Sequence, residues 1–143
     1  METIHSFTID HDEHGEGFYL SNEQGDIQTY DLRFVYPNCG EYLPSPVMHS
    51  IEHMFATVVR NSPKSEDVIY FGPMGCRTGF YLLLRNSDYS SALTLTKECV
   101  KICLSLDSVP GCERKQCGNY LEHDFEGAKR ALTKYLTILE KIA

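Results

Sequence analysis

The stretch Ile27-Gln28-Thr29-Tyr30-Asp31-Leu32-Arg33-Phe34-Val35-Tyr36 alternates residue by residue. On an extended chain Tyr30, Leu32, Phe34 and Tyr36 share one face, while Asp31, Arg33 and Val35 share the other. Pro37-Asn38-Cys39-Gly40 ends the strand. Before it, the opening TIHSFTID (3–10) reads as extended and DEHGEG (12–17) as a turn. After it, Ser45-Pro46 starts a helix, with Ser as the expected cap and Pro at the first helical position. Val47, Ile51, Met54, Phe55, Val58 and Val59 then trace an apolar stripe at helical spacing, and Asn61-Ser62-Pro63 stops it. Two short strands follow, Val68–Phe71 and Phe80–Leu84, around the Gly-rich loop 72–79. Helices are expected from about Ser90 to Leu106 and from near Asp124, where Phe125, Ala128, Leu132, Tyr135, Leu136 and Leu139 form a stripe. Hairpin-like strands with interspersed helices predict an α+β fold, a mostly antiparallel sheet with helices packed on one face. No linker or repeat divides the chain, so residues 1–143 are read as a single domain.

A length of 143 residues can bury a core without disulfide staples. With 13 Lys and Arg against 20 Asp and Glu, the net charge of −7 argues against nucleic acid as a partner. No apolar run approaches the roughly 20 residues that cross a bilayer, and METIHSFTID lacks the pattern of a signal peptide. No membrane association and a cytoplasmic location are therefore expected. The six cysteines read as reduced thiols in that setting, with Cys99 and Cys103 buried on a helix.

The sharpest chemical signal is His49-Ser50-Ile51-Glu52-His53. Helical residues four apart lie on one face, separated by a rise of roughly 6 Å, so two imidazoles can converge on one metal ion. Glu52 projects near the same face and can take a proton from whatever binds beside the ion. The order H-x-x-E-H is also that of the inverted zinc proteases. A catalytic site needs a third protein ligand and an open position. Cys117, in the polar stretch before the last helix, can close a His-His-Cys set, while His5, His11, His14, His123 and the carboxylates are further candidates. Cys112, five residues earlier, would instead make a closed structural site. His123 can cap the last helix or line the site; His5 and His14 read as solvated. Cys76 sits in a Gly-flanked turn beside Arg77, where exposed amides and a cation favour a reactive thiol; a cysteine chosen for size is the alternative.

Taken in order, HSIEH (49–53), PMGCRTGFYL (73–82) and QCGNYLEHDFEGAK (116–129), with SFTIDH (6–11) and YDLRF (30–34), resemble the LuxS family of S-ribosylhomocysteine lyases over about residues 4–135. The resemblance implies metal ligands at His49, His53 and Cys117, a glutamate base at Glu52 and a catalytic cysteine at Cys76. It implies substrate-binding residues at Ser6, His11 and Arg33. It implies one divalent ion per subunit, Fe(II) being expected, with zinc or cobalt able to substitute. It also implies a homodimer with active sites at the subunit interface, where Ser6 and His11 would complete a site whose metal belongs to the other subunit. One position departs: Tyr70 stands where the family carries an aspartate, six residues before the cysteine, that helps hold the substrate's amino group.

The reaction so implied cleaves the thioether of S-ribosylhomocysteine to homocysteine and 4,5-dihydroxy-2,3-pentanedione, the autoinducer-2 precursor, which serves quorum sensing or recycling in the activated methyl cycle. Its logic is carbonyl migration along an opened sugar followed by β-elimination, with acid/base groups moving protons between carbons. Three rival readings are an inverted-motif zinc hydrolase, a non-catalytic zinc-binding module built with Cys112 and Cys117, and a degenerate family member that binds ligand but turns over slowly, motivated by Tyr70. The first leaves Cys76 without a role, and the second leaves Glu52 without one.

Overall fold

The computed structural model describes residues 1–8, 10–11 and 14–142; the expected turn at 12–17 falls partly outside them. The elements in order are α1 (His5–Thr8), β1 (Gly17–Gln24), β2 (Ile27–Arg33), α2 (Ser45–Arg60), a 3-10 turn (Ser65–Asp67), β3 (Val68–Pro73), β4 (Gly79–Arg85), α3 (Tyr89–Leu104) and α4 (Phe125–Glu140). The four strands form one antiparallel sheet in the order β1-β2-β4-β3. The helices pack on one face of it: α2 lies against β3, α3 and α4 lie against α2 and each other, and α4 reaches β1. The α+β expectation holds.

Period-two alternation puts Tyr30 and Leu32 of β2 and Phe80, Leu82 and Leu84 of β4 on the helix-facing side, all buried. Ile51, Met54, Phe55 and Val59 of α2 and Leu132, Tyr135 and Leu139 of α4 close over them. Each such side chain contributes about 1.5–3 kcal/mol by leaving water. Phe34 stacks on Tyr135 at 4.0 Å between ring centroids, and the Tyr135 hydroxyl donates to the Gly17 carbonyl at 2.9 Å. That bond lets a fully buried phenol meet its polar requirement.

One strand was not foreseen and three local expectations are corrected. Residues 17–24 are a strand, which the polar run Ser21–Gln24 concealed; the Gly25-Asp26 turn, with Gly25 at φ 60°, pairs it with β2. Only an edge strand tolerates so many polar groups, since one of its sides stays wet. β2 ends at Arg33, three residues short of the alternating run, because the amides of Phe34 and Val35 both turn to the Thr78 carbonyl. His5–Thr8 is a single helical turn where an extended segment was expected. Ser45 is inside α2; Pro44 takes the cap position and no side chain caps the helix.

The face of the sheet away from the helices is the one that positions chemistry. It carries Asp31 and Arg33 on β2 and Tyr81 and Leu83 on β4, with Asp31 opposite Tyr81. An extra residue in β3, between Val68 and Tyr70, breaks the alternation. The bulge aims Tyr70 outward, opposite Leu83, while Val68 and Phe71 both face the core. No helix is long and apolar enough to cross a membrane.

Candidate metal centre and thiol site

The apolar stripe of α2 buries Val47, Ile51, Met54, Phe55 and Val58, so His49, Glu52 and His53 line up along its half-buried edge. The rings of His49 and His53 stand 4.7 Å apart at 83°, edge to face. The connection from α3 to α4 folds back over them. Its carbonyls orient both rings: His49 Nδ1 meets the Glu122 carbonyl at 2.7 Å, and His53 Nδ1 meets the Pro110 carbonyl at 3.0 Å. A carbonyl only accepts, so both Nδ1 atoms carry the proton and both Nε2 lone pairs are free.

The same connection brings Cys117 to those lone pairs. Its Sγ lies 3.4 Å from His49 Nε2 and 3.9 Å from His53 Nε2. A fourth group, His123 Nε2, is 3.8 Å from the sulfur. The four donor atoms all lie within 4.8 Å of one another. Metal–nitrogen bonds of about 2.0 Å and a metal–sulfur bond of about 2.3 Å put donor atoms roughly 3.3–3.5 Å apart around a tetrahedral ion. The His-His-Cys set fits a divalent metal in spacing and chemistry, and imidazole with thiolate suits zinc, cobalt or ferrous iron. Cys112 is not in the cluster. Burial, and then the neighbouring His49 and His53, lower the pKa of His123.

Glu52 lines a shallow pocket of about 340 Å³ with Ser45, Met48 and His49 on one wall and Pro73, Met74, Gly75 and Arg77 on the other. The β3–β4 turn therefore sits beside the acid of α2. Within that turn the Arg77 amide donates to Met74 and the Met74 amide to Gly79, which needs Arg77 at φ 60°. A Cβ on Gly79 would strike the Leu32 carbonyl and Arg33 Cα, so only glycine lets β4 approach β2 here.

Cys76 is exposed, and its sulfur turns toward the outer face of the sheet. Its Sγ is 3.0 Å from Thr78 Oγ1. Thr78 Oγ1 accepts from Arg33 Nη1 at 2.9 Å, which leaves the threonine proton free to face the sulfur. Arg33 is held by Asp31, with Nε to Oδ1 at 3.1 Å and Nη2 to Oδ2 at 2.6 Å. Both charged side chains are essentially sealed from water, at 1% and 0% exposure. Three of the five guanidinium N–H groups are thus used among the described residues.

The family description S-Ribosylhomocysteinase (LuxS) matches residues 4–142. The chain is 40% identical over 152 residues to the S-ribosylhomocysteine lyase of Borreliella afzelii, covering 99% of this chain and 95% of that one. It is 42% identical over 144 residues to the S-ribosylhomocysteine lyase of Clostridium beijerinckii, covering 95% and 90%. That of Phocaeicola vulgatus is 41% identical over 143 residues, covering 95% and 89%.

This chain belongs to the LuxS family.

It is thereby one of the LuxS carbon–sulfur lyases. Within one LuxS chain the expected residues separate into two groups. His49, Glu52, His53 and Cys117 gather on the edge of α2. Arg33 and Cys76 gather on the outer sheet face, where burial and the charge of Asp31 raise the pKa of Tyr81. Ser6 and Tyr70 share a pocket there with Tyr81 and Leu83. His11 lies half-buried in the turn beyond α1. His14 is half-buried against Tyr19 rather than solvated, with ring centroids 3.9 Å apart.

Sequence reasoning missed Thr78 and Asp31 and left His123 undecided. Thr78 gave no signal, because a threonine two residues after a cysteine is ordinary in a turn. Asp31 and Arg33 at i and i+2 of an alternating strand do share a face, and that spacing was the available clue. Cys99 and Cys103 are the buried thiols expected; burial pushes both up to about 12.

Proposed function

We propose that this protein cleaves the thioether of S-ribosylhomocysteine, releasing homocysteine and 4,5-dihydroxy-2,3-pentanedione, as a single metal-dependent lyase domain spanning residues 1–143. The observation that carries the reading is the convergence of Cys117 Sγ on His49 and His53, with both imidazoles turned metal-ready by backbone carbonyls. In this reading His49, His53 and Cys117 hold the ion, Fe(II) being the expected occupant and zinc or cobalt able to replace it. When bound, the ion supplies Lewis-acid stabilisation for charge that develops on the substrate's oxygens.

The chain's own residues move the protons. Glu52, beside His49, takes a proton from one carbon of the opened sugar and returns it to the next. Cys76 exchanges protons from another side, with the Thr78 hydroxyl facing its sulfur and Arg33 donating to that hydroxyl. Repeated transfer walks the carbonyl along the chain until it stands next to the carbon whose neighbour bears sulfur. A last proton abstraction then expels the homocysteine thiolate, and no net redox change is needed. Ser6, His11 and Arg33 bind the substrate.

The two residue groups of one chain complete each other across a homodimer, with Ser6 and His11 of one subunit serving the metal of the other. The outer sheet face supports this, since it offers Tyr70 to solvent beside a sealed ion pair. The setting is the cytoplasm, without nucleic acid or membrane as partner, and the product supplies autoinducer synthesis.

The test is release of free thiol from S-ribosylhomocysteine by anaerobic, cobalt-loaded protein, with a no-substrate control for the six cysteines of the chain. Glu52→Gln and Cys76→Ala should each lower the rate by about 10²–10⁴-fold. Absence of thiol release by a folded, fully loaded dimer would reject the reading.

A further inference from the structure

Four donors surround the candidate ion position, yet an ion that takes a substrate needs one position open. Building on the metal reading above, we propose that His123 is not the fourth ligand but a positioning residue whose Nε2–H donates to the sulfur of Cys117.

Three observations carry this. The first is the partner of each ring. His49 and His53 have carbonyls on Nδ1, which force the proton there and free Nε2. His123 instead has a hydroxyl, Ser50 Oγ, at 3.0 Å from Nδ1. That hydroxyl already accepts the Asp124 amide at 2.9 Å, and among the described residues His123 Nδ1 is the acceptor left for its proton. Ser50 is completely buried, so water offers no substitute. A ring that accepts at Nδ1 carries its proton on Nε2 and has no lone pair there for a metal.

The second is the ring geometry. Two imidazoles sharing a tetrahedral ion through Nε2, with bonds of about 2.0 Å, hold their centroids roughly 5 Å apart. His49 and His53 come near this at 4.7 Å. His53 and His123 stand 4.9 Å apart at 78°, but His49 and His123 are only 3.9 Å apart and within 21° of parallel, so His123 lies over the face of His49 and it is this stacking that sets it apart.

The third is the sulfur. Cys117 Sγ already receives the Asn119 amide at 3.4 Å, and His123 Nε2 stands 3.8 Å away as a second donor. Such bonds draw electron density from a thiolate, weaken its donation to the ion and leave the ion a stronger Lewis acid. The relay runs Asp124 N–H, Ser50 O–H, His123 N–H, Cys117 sulfur. Asp124 also caps α4 by accepting from the Gly127 amide, so the start of α4 is tied to the metal centre.

The experiment is cobalt titration of the wild-type protein, His123→Ala and His123→Gln, with Cys117→Ser to assign the sulfur-to-cobalt charge-transfer band. Glutamine places an N–H near the imidazole Nε2 but cannot ligate through it. The expected result is a charge-transfer band displaced to longer wavelength in His123→Ala and restored in His123→Gln, with the visible cobalt bands keeping their tetrahedral intensity in both. Loss of that intensity in both variants would make His123 a ligand and overturn the proposal. A charge-transfer band unmoved by His123→Ala would remove the hydrogen bond and overturn it equally. A wild-type spectrum lacking any Cys117-dependent band would instead sink the metal set itself, and that is seen before His123 is touched.

Discussion

Breaking the Asp31–Arg33 pair should be the most damaging conservative change on the outer sheet face. Its two contacts, at 3.1 and 2.6 Å, are sealed at 0% and 1% exposure, so neither water nor salt screens them. Removing one member leaves a buried charge without its partner, which costs about 3–5 kcal/mol. Arg33→Met and Asp31→Asn should each show that loss in urea unfolding at pH 7. The chain has no tryptophan, so far-ultraviolet circular dichroism is the signal. For a domain of this size about 2–4 °C of Tm follows each kcal/mol, giving a drop of roughly 6–20 °C. The double variant Asp31→Leu/Arg33→Met should fall well short of the sum, because two apolar groups leave no orphaned charge. Single variants that cost less than about 1 kcal/mol, or a double variant as weak as the sum, would refute the view that this pair is a sealed, mutually dependent unit.

Four further outcomes are expected. Cys99 and Cys103, pushed up to about 12, should resist alkylation in the native protein at pH 8 and react only on unfolding. Because the unfolded thiols release protons above about 9 while the folded ones keep theirs, stability should also decline from pH 9 upward, and less so in Cys99→Ala/Cys103→Ala; pH-dependent urea melts read this. Saturating cobalt at 100 times its Kd should stabilise the protein by about 2.7 kcal/mol, a rise of roughly 5–11 °C that a chelator reverses and that His49→Ala lacks. Tyr70→Asp, at a position half exposed, should leave Tm nearly unchanged and lower KM for S-ribosylhomocysteine; unchanged kinetics would remove Tyr70 from substrate recognition.

The chain's local patterns determined a great deal. Helical spacing placed His49, Glu52 and His53 on one edge of α2, because a stripe of Val, Ile, Met and Phe leaves only that edge half exposed. Strand alternation and the Gly-rich turn located β2, β3, β4 and Cys76, because each depends on backbone preferences within a few residues. The motifs from HSIEH to QCGNYLEHD were enough to indicate the family.

Only the tertiary structure decided what these groups touch. That Asp31 and Arg33 are sealed, although they sit on the face opposite the helices, follows from what covers the sheet and not from the alternating run itself. The proton positions on His49, His53 and His123 are set by Glu122, Pro110 and Ser50, which lie 57 to 73 residues away along the chain. A hydrogen bond between such distant residues costs loop-closure entropy that no local pattern encodes, and it forms only where the packed core brings the partners together. The same is true of Thr78, whose place between Cys76 and Arg33 exists because β2 and β4 are neighbours in the sheet.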